Sequence, residues 1–180
     1  MGLFSSKGKD LEPRDWARMN ERDIRQFINA GGDVNHRDRD HGTALMAAVA
    51  LDAEQLVAEL IGRRADVNEQ DKDGVSALMI AARKNNSNVA RLLLAANADV
   101  NARKRDGWTV LMFWAQAGNL EIVRSLLSKG ADVTAHTPQQ LTAVMAAAVT
   151  AKNDVVQFLL QNGANPQDLA LLQEQLNKHR

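Results

Sequence analysis

The sequence predicts an all-α fold, a solenoid of stacked helix-turn-helix units with protruding turns, and three observations carry that reading. A closing triplet recurs at a step of 33 residues, as Asp33-Val34-Asn35, Asp66-Val67-Asn68, Asp99-Val100-Asn101 and Asp132-Val133-Thr134. A hydroxyl of the type that caps a helix keeps the same step, at Thr43, Ser76, Thr109 and Thr142, each followed by a small or branched residue, a Leu or Val, and a Met. Behind each hydroxyl, apolar residues return at three-to-four spacing on two short helices. A helical hairpin with two apolar sides cannot bury both alone, so a period of this length marks an array in which each unit rests on its neighbours.

The unit from Asp106 to Thr134 shows the pattern most completely. Asp106-Gly107 supplies a turn where positive φ is cheap, and Thr109 is placed to cap the first helix. Gly118-Asn119 interrupts it. Leu120, Ile122, Val123, Leu126 and Leu127 then mark a second helix that stops at Gly130. Gly107, Thr109, Leu111, Ala115, Gly118, Leu120, Ile122, Val123, Leu126, Leu127, Gly130, Ala131, Asp132 and Val133 resemble, in order, the pattern of the ankyrin repeat family, and the resemblance runs over residues 11–167. One departure is systematic. Where the family has Pro-Leu-His after the threonine, this chain places Met46, Met79, Met112 and Met145, read here as an adaptable core ladder rather than a ligand-binding stripe.

Taken in order, residues 1–10 read as a flexible leader. Met1-Gly2-Leu3-Phe4-Ser5-Ser6 also fits the acceptor pattern for N-myristoylation at Gly2, with Lys7 and Lys9 placed to meet anionic headgroups; a single acyl chain holds weakly without a second signal. Residues 11–35 form a degenerate capping repeat. Its first helix is expected around Asp15, Trp16, Ala17 and Met19, its second carries Ile24, Phe27 and Ile28, and Arg14, Arg18, Arg22 and Arg25 make a polar outer face. Full repeats follow at 36–68, 69–101, 102–134 and 135–167, and residues 168–180 form a C-terminal capping helix with Leu169, Leu172 and Leu176 on one face.

Departures within the repeats carry information. Arg64 stands where Gly31, Gly130 and Gly163 stop other helices, and a left-handed backbone there would cost about 1 to 2 kcal/mol. Thr137-Pro138-Gln139-Gln140-Leu141 lacks the Asp-Gly pair, so the last finger is expected to differ in shape. His36-Arg37-Asp38-Arg39-Asp40-His41 could suggest a metal site. Asp71 and Asp73 repeat its carboxylates without the histidines, however, which assigns them to turn hydrogen bonding. The tip at Asp71-Lys72-Asp73-Gly74 is not a calcium loop, because Ile80 stands where the bidentate Glu is required.

The composition bounds function. The 180 residues carry a formal net charge of +0 with four His and no Cys, which gives no reason to expect nucleic-acid binding and excludes thiolate sites and disulfides. No apolar run approaches the ~20 residues that span a bilayer. A cytoplasmic monomer is expected, or one held at a membrane through its N-terminus. The sequence offers no glycine-rich phosphate loop, no HExxH and no nucleophile elbow, so no enzyme, cofactor or metal is expected.

The candidate site is a binding surface. Trp108, Phe113 and Trp114 gather large rings in one repeat, where Trp114 replaces the alanines at 48, 81 and 147 and reads as core. Trp108 at a finger base and Phe113 on the first helix, with Gln116 beyond it, are expected to face a partner. Arg37, Arg39, Lys72, Arg103, Lys104 and Arg105 on the fingers, with Arg83 and Lys84 at the inner end of a first helix, make a basic edge that would favour an acidic patch on that partner. The resemblance implies a concave face that binds another protein, as adaptor or as stoichiometric inhibitor or immunity-type protector. The alternative is an N-myristoylated peripheral membrane scaffold.

Overall fold

The computed structural model describes residues 15–178. The chain divides into two compact units, Met1–Ala98 and Asp99–Arg180. Among the described residues every regular element is a helix, and the remaining ladder contacts are three isolated bridges at finger bases, Gln70 with Ser76, Arg103 with Thr109 and His136 with Thr142.

The first unit opens on the cap. Its expected first helix is a single 3-10 turn, Trp16–Arg18, with Asp15 accepting from the Ala17 amide. Three residues suffice because the turn has one task, which is to seat Trp16. That indole is buried, meets Phe27 edge-on at 5.3 Å and donates from Nε1 to the His36 carbonyl at 3.1 Å. Helix α1 (Glu21–Asn29) follows, closed by a reciprocal Asn20–Asp23 capping box that satisfies two end amides. Then come α2 (Ala44–Ala50), α3 (Glu54–Gly62), α4 (Ala77–Lys84) and α5 (Ser87–Ala95). The first helices α2 and α4 pack on each other and on their own second helices, while α3 packs on α5. Met46 and Met79 are buried, the core role read from the sequence.

The recurring Asp-Val-Asn triplet has a visible purpose. Within each copy the Asp carboxylate accepts the amide two residues on, as Asp33 does for Asn35 at 2.9 Å and Asp66 for Asn68 at 2.9 Å. The Asn then reaches the next repeat. Asn35 donates to the Arg64 carbonyl at 3.3 Å and accepts from the Asp66 amide at 2.7 Å, and Asn101 does the same with Gly130 and Asp132 at 3.0 and 2.9 Å. A side chain that both donates and accepts satisfies two backbone groups of the following turn, whereas Thr134, in the same register, donates its hydroxyl to Asp132 Oδ1 at 2.8 Å.

The second unit holds α6 (Val110–Ala117), α7 (Leu120–Ser128), α8 (Ala143–Val149), α9 (Asn153–Gln161) and α10 (Gln167–Lys178). Asn119 caps α7 through the Ile122 amide at 3.1 Å. Trp114 is fully buried, as are Met112 and Met145. Arg124 lies over the Phe158 ring at 4.1 Å, joining α7 to α9 by a cation-π contact. Helix α10 packs on α8, where a further first helix would stand. Its apolar face is only partly used: Leu169 and Leu172 are half-buried, but Leu176 is 54% exposed, which corrects the expectation that all three close the stack.

The last finger also departs from expectation. Thr137 N–H meets the Leu141 carbonyl at 3.0 Å, matching Asp71 to Val75 at 3.1 Å and Lys104 to Trp108 at 2.8 Å, and Gln140 takes the left-handed φ of 64°. Its shape is therefore that of the other fingers. The Thr137 hydroxyl, accepting from Leu141 N at 3.1 Å, replaces the carboxylate that does this elsewhere. Left-handed residues in fact occupy three registers of every repeat: 41, 74, 107 and 140 at the tip; 52, 85, 118 and 151 between helices; 31, 64, 97, 130 and 163 at the end. At Gly107 the absence of a side chain matters twice, since φ is 89° and a Cβ would fall 2.8 Å from Pro138 Cδ of the neighbouring finger.

Candidate functional site

In the second unit the finger between Arg103 and Thr109 fixes the aromatic candidate. The Lys104 amide donates to the Trp108 carbonyl, and the Asp106 carboxylate accepts the Trp108 amide at 3.2 Å, so both sides of the turn are held. Trp108 and Phe113 lie with ring centroids 5.1 Å apart at 55°, both half-buried. Arg105 is exposed on the same finger, and Gln116 is exposed three residues beyond Phe113 on α6. The structure thus brings the expected rings together. Val149, 58% exposed at the end of α8, was missed by the sequence reading although it shares the register of Gln116.

Most of the basic edge is already paired. Arg37 meets Glu69 at 3.3 Å and the Gln70 carbonyl at 3.3 Å, Lys72 meets Asp40 at 3.2 Å, and Lys84 meets Asp52 at 3.6 Å. In the second unit Arg103 meets Asp132 at 3.9 Å and Lys104 meets Asp106 at 2.7 Å. The Lys104 hydrogen bond draws the Asp106 carboxyl below its ordinary value, against some burial. The Asp132 carboxyl is also lowered, first by the Thr134 hydroxyl and then by neighbouring amides and the Arg103 charge. Arg39, Arg83 and Arg105 make no ion pair among the described residues, so they hold the charge available to a partner.

The first unit carries a groove that the sequence reading did not find. It holds about 200 Å³ and is lined by Met46, Ala47 and Ala50 of α2, Ile80 of α4, and the carboxylate residues Asp15, Asp38, Asp40 and Asp71. The finger carboxylates drew attention only as turn formers, which they also are. Asp38 Oδ1 accepts the Asp40 and Gly42 amides at 2.9 and 2.8 Å while Oδ2 accepts the Trp16 amide at 2.8 Å. That use assigns Asp38 to the finger and cap. No group of three or more potential metal ligands occurs among the described residues. Gly2 lies outside them, and no helix among them is long and apolar enough to cross a membrane.

Within each unit, stacked helical hairpins carry protruding fingers beside first-helix faces, the architecture of a helical repeat protein. A family model described as ankyrin repeats, in three copies, matches residues 16–104 and again 100–169, and the chain belongs to that family. Ankyrin repeats are generally protein-protein interaction modules, and the family is typically non-enzymatic. No curated protein matches the chain.

Proposed function

We propose that this ankyrin repeat protein binds a partner protein through its fingers and the first-helix faces beside them, as an adaptor or a stoichiometric inhibitor, with Trp108 and Phe113 as the energetic centre. The observation that carries the reading is the half-buried ring pair, 5.1 Å between centroids, beside the exposed Gln116 and Arg105, which makes no ion pair among the described residues. A core position would hide such rings. Leaving them in water forgoes roughly 25 cal/mol for each Å² of apolar surface, which a covering partner recovers, and interface energy concentrates in aromatic and arginine anchors of this kind.

The test is affinity capture from the native host with wild-type and Trp108→Ala baits, read by quantitative mass spectrometry. A protein enriched on the wild type and depleted on the variant supports the proposal. Equal enrichment on both baits removes Trp108 from the surface, and enrichment on neither removes the partner-binding reading.

A further inference from the structure

We propose that the groove in the first unit receives one basic side chain of a partner protein, an arginine or lysine whose stem lies on the apolar lining and whose cation meets the carboxylates. The inference rests on the partner-binding reading above. Its volume of about 200 Å³ is too small for the ~300 to 1,000 Å³ typical of small-molecule pockets and suits a single side chain. The lining is divided in the way a long basic side chain is divided. Met46, Ala47, Ala50 and Ile80 offer carbon to methylenes, and carboxylates of the same lining offer acceptors to the charged end.

The charge balance of the lining selects the occupant. Asp15 is offset by Arg18 at 2.9 Å and Asp40 by Lys72 at 3.2 Å. Asp38 and Asp71 are held by backbone amides and meet no cation among the described residues, so two negative charges remain there to attract one. An acidic residue would be repelled there, and a purely apolar one would leave both charges facing a dry neighbour. Guanidinium fits best, since its fork of donors can serve carboxylates on two adjacent fingers.

The experiment titrates the full 15N-labelled chain with a capped Ala-Ala-Arg-Ala-Ala peptide and, separately, with its citrulline counterpart. Saturable amide shifts centred on Gly42, Ala47 and Ala50, with citrulline weaker by about threefold or more, are expected. Asp71→Asn keeps an oxygen to accept the Asp73 and Val75 amides and should retain the melting temperature while weakening the arginine peptide by a similar factor. Ala50→Arg, which fills the groove from α2, should abolish the shifts. Shifts elsewhere, or equal binding of the two peptides, would overturn the proposal. Should the peptide fail while Trp108-dependent capture persists, the groove is refuted and the parent reading stands.

Discussion

Arg64 shows at a single residue how the repeat period dictates backbone conformation. Its φ is 66°, in the register where Gly31, Gly130 and Gly163 also have positive φ, and the side chain is exposed. A left-handed residue with a Cβ costs about 1 to 2 kcal/mol, and glycine returns part of that through its larger unfolded-state entropy. Arg64→Gly should therefore stabilise the protein by about 1 kcal/mol, seen as a higher denaturant midpoint; an unchanged midpoint would remove the strain argument. The carbonyl that accepts from Asn35 is backbone, so the substitution leaves that bond in place. Arg64 was legible in the sequence because it replaces a glycine that recurs at the helix end. His41, Asp52, Gln140 and Ala151 were not, because their side chains signal positive φ weakly or not at all and the stronger cue is their position one or two periods from Gly74, Gly107 or Gly118.

At the scale of elements, the four capping hydroxyls look equivalent in sequence and are not equivalent in space. Thr43 and Thr109 accept the Met46 and Met112 amides, each at 3.3 Å. The hydroxyls of Ser76 and Thr142 are buried and have no partner among the described residues. Replacing a working cap costs about 1 kcal/mol, whereas a buried hydroxyl without a partner carries a desolvation penalty that valine avoids. Thermal unfolding should thus show Thr109→Val lowering stability by about 1 kcal/mol and Thr142→Val leaving it level or raised. Equal losses would mean that the Thr142 hydroxyl is satisfied in solution. Spacing fixes which residue ends a helix, but the rotamer that decides whether its oxygen bonds depends on packing that sequence does not display. The last finger teaches the converse, since Thr137 reproduces with a hydroxyl a turn whose Asp-Gly signal is gone. The groove was hidden for a related reason: its parts come from the cap, two fingers and two helices, and each part has a sufficient local explanation.

For the molecule as a whole, the question is whether rings or charge decide partner choice. Trp108 is half-buried, so Trp108→Ala should cost ~2 kcal/mol or more in affinity while lowering stability by less than the ~3 to 5 kcal/mol lost with a fully buried ring. Melting temperature and affinity measured on that one variant separate the two, and a large stability loss would return Trp108 to the core. Charge should act differently. With a formal net charge of +0 and five of the eight basic-edge cations, on fingers and at the end of α4, in ion pairs, any steering must come from local groups, and at physiological salt their reach is about 8 Å. Arg105 has no ion pair among the described residues, so Arg105→Glu should slow association and reduce its salt dependence while leaving the fold intact. Lys104→Glu adds a structural defect, because it puts a carboxylate against Asp106 where the ammonium now sits at 2.7 Å. The expected order in stopped-flow association and thermal unfolding is therefore distinct: Arg105→Glu changes rate without melting temperature, and Lys104→Glu changes both. If Arg105→Glu leaves the association rate and its salt slope unchanged, electrostatic steering by this finger is excluded and the ring pair alone carries the recognition proposed for this unit.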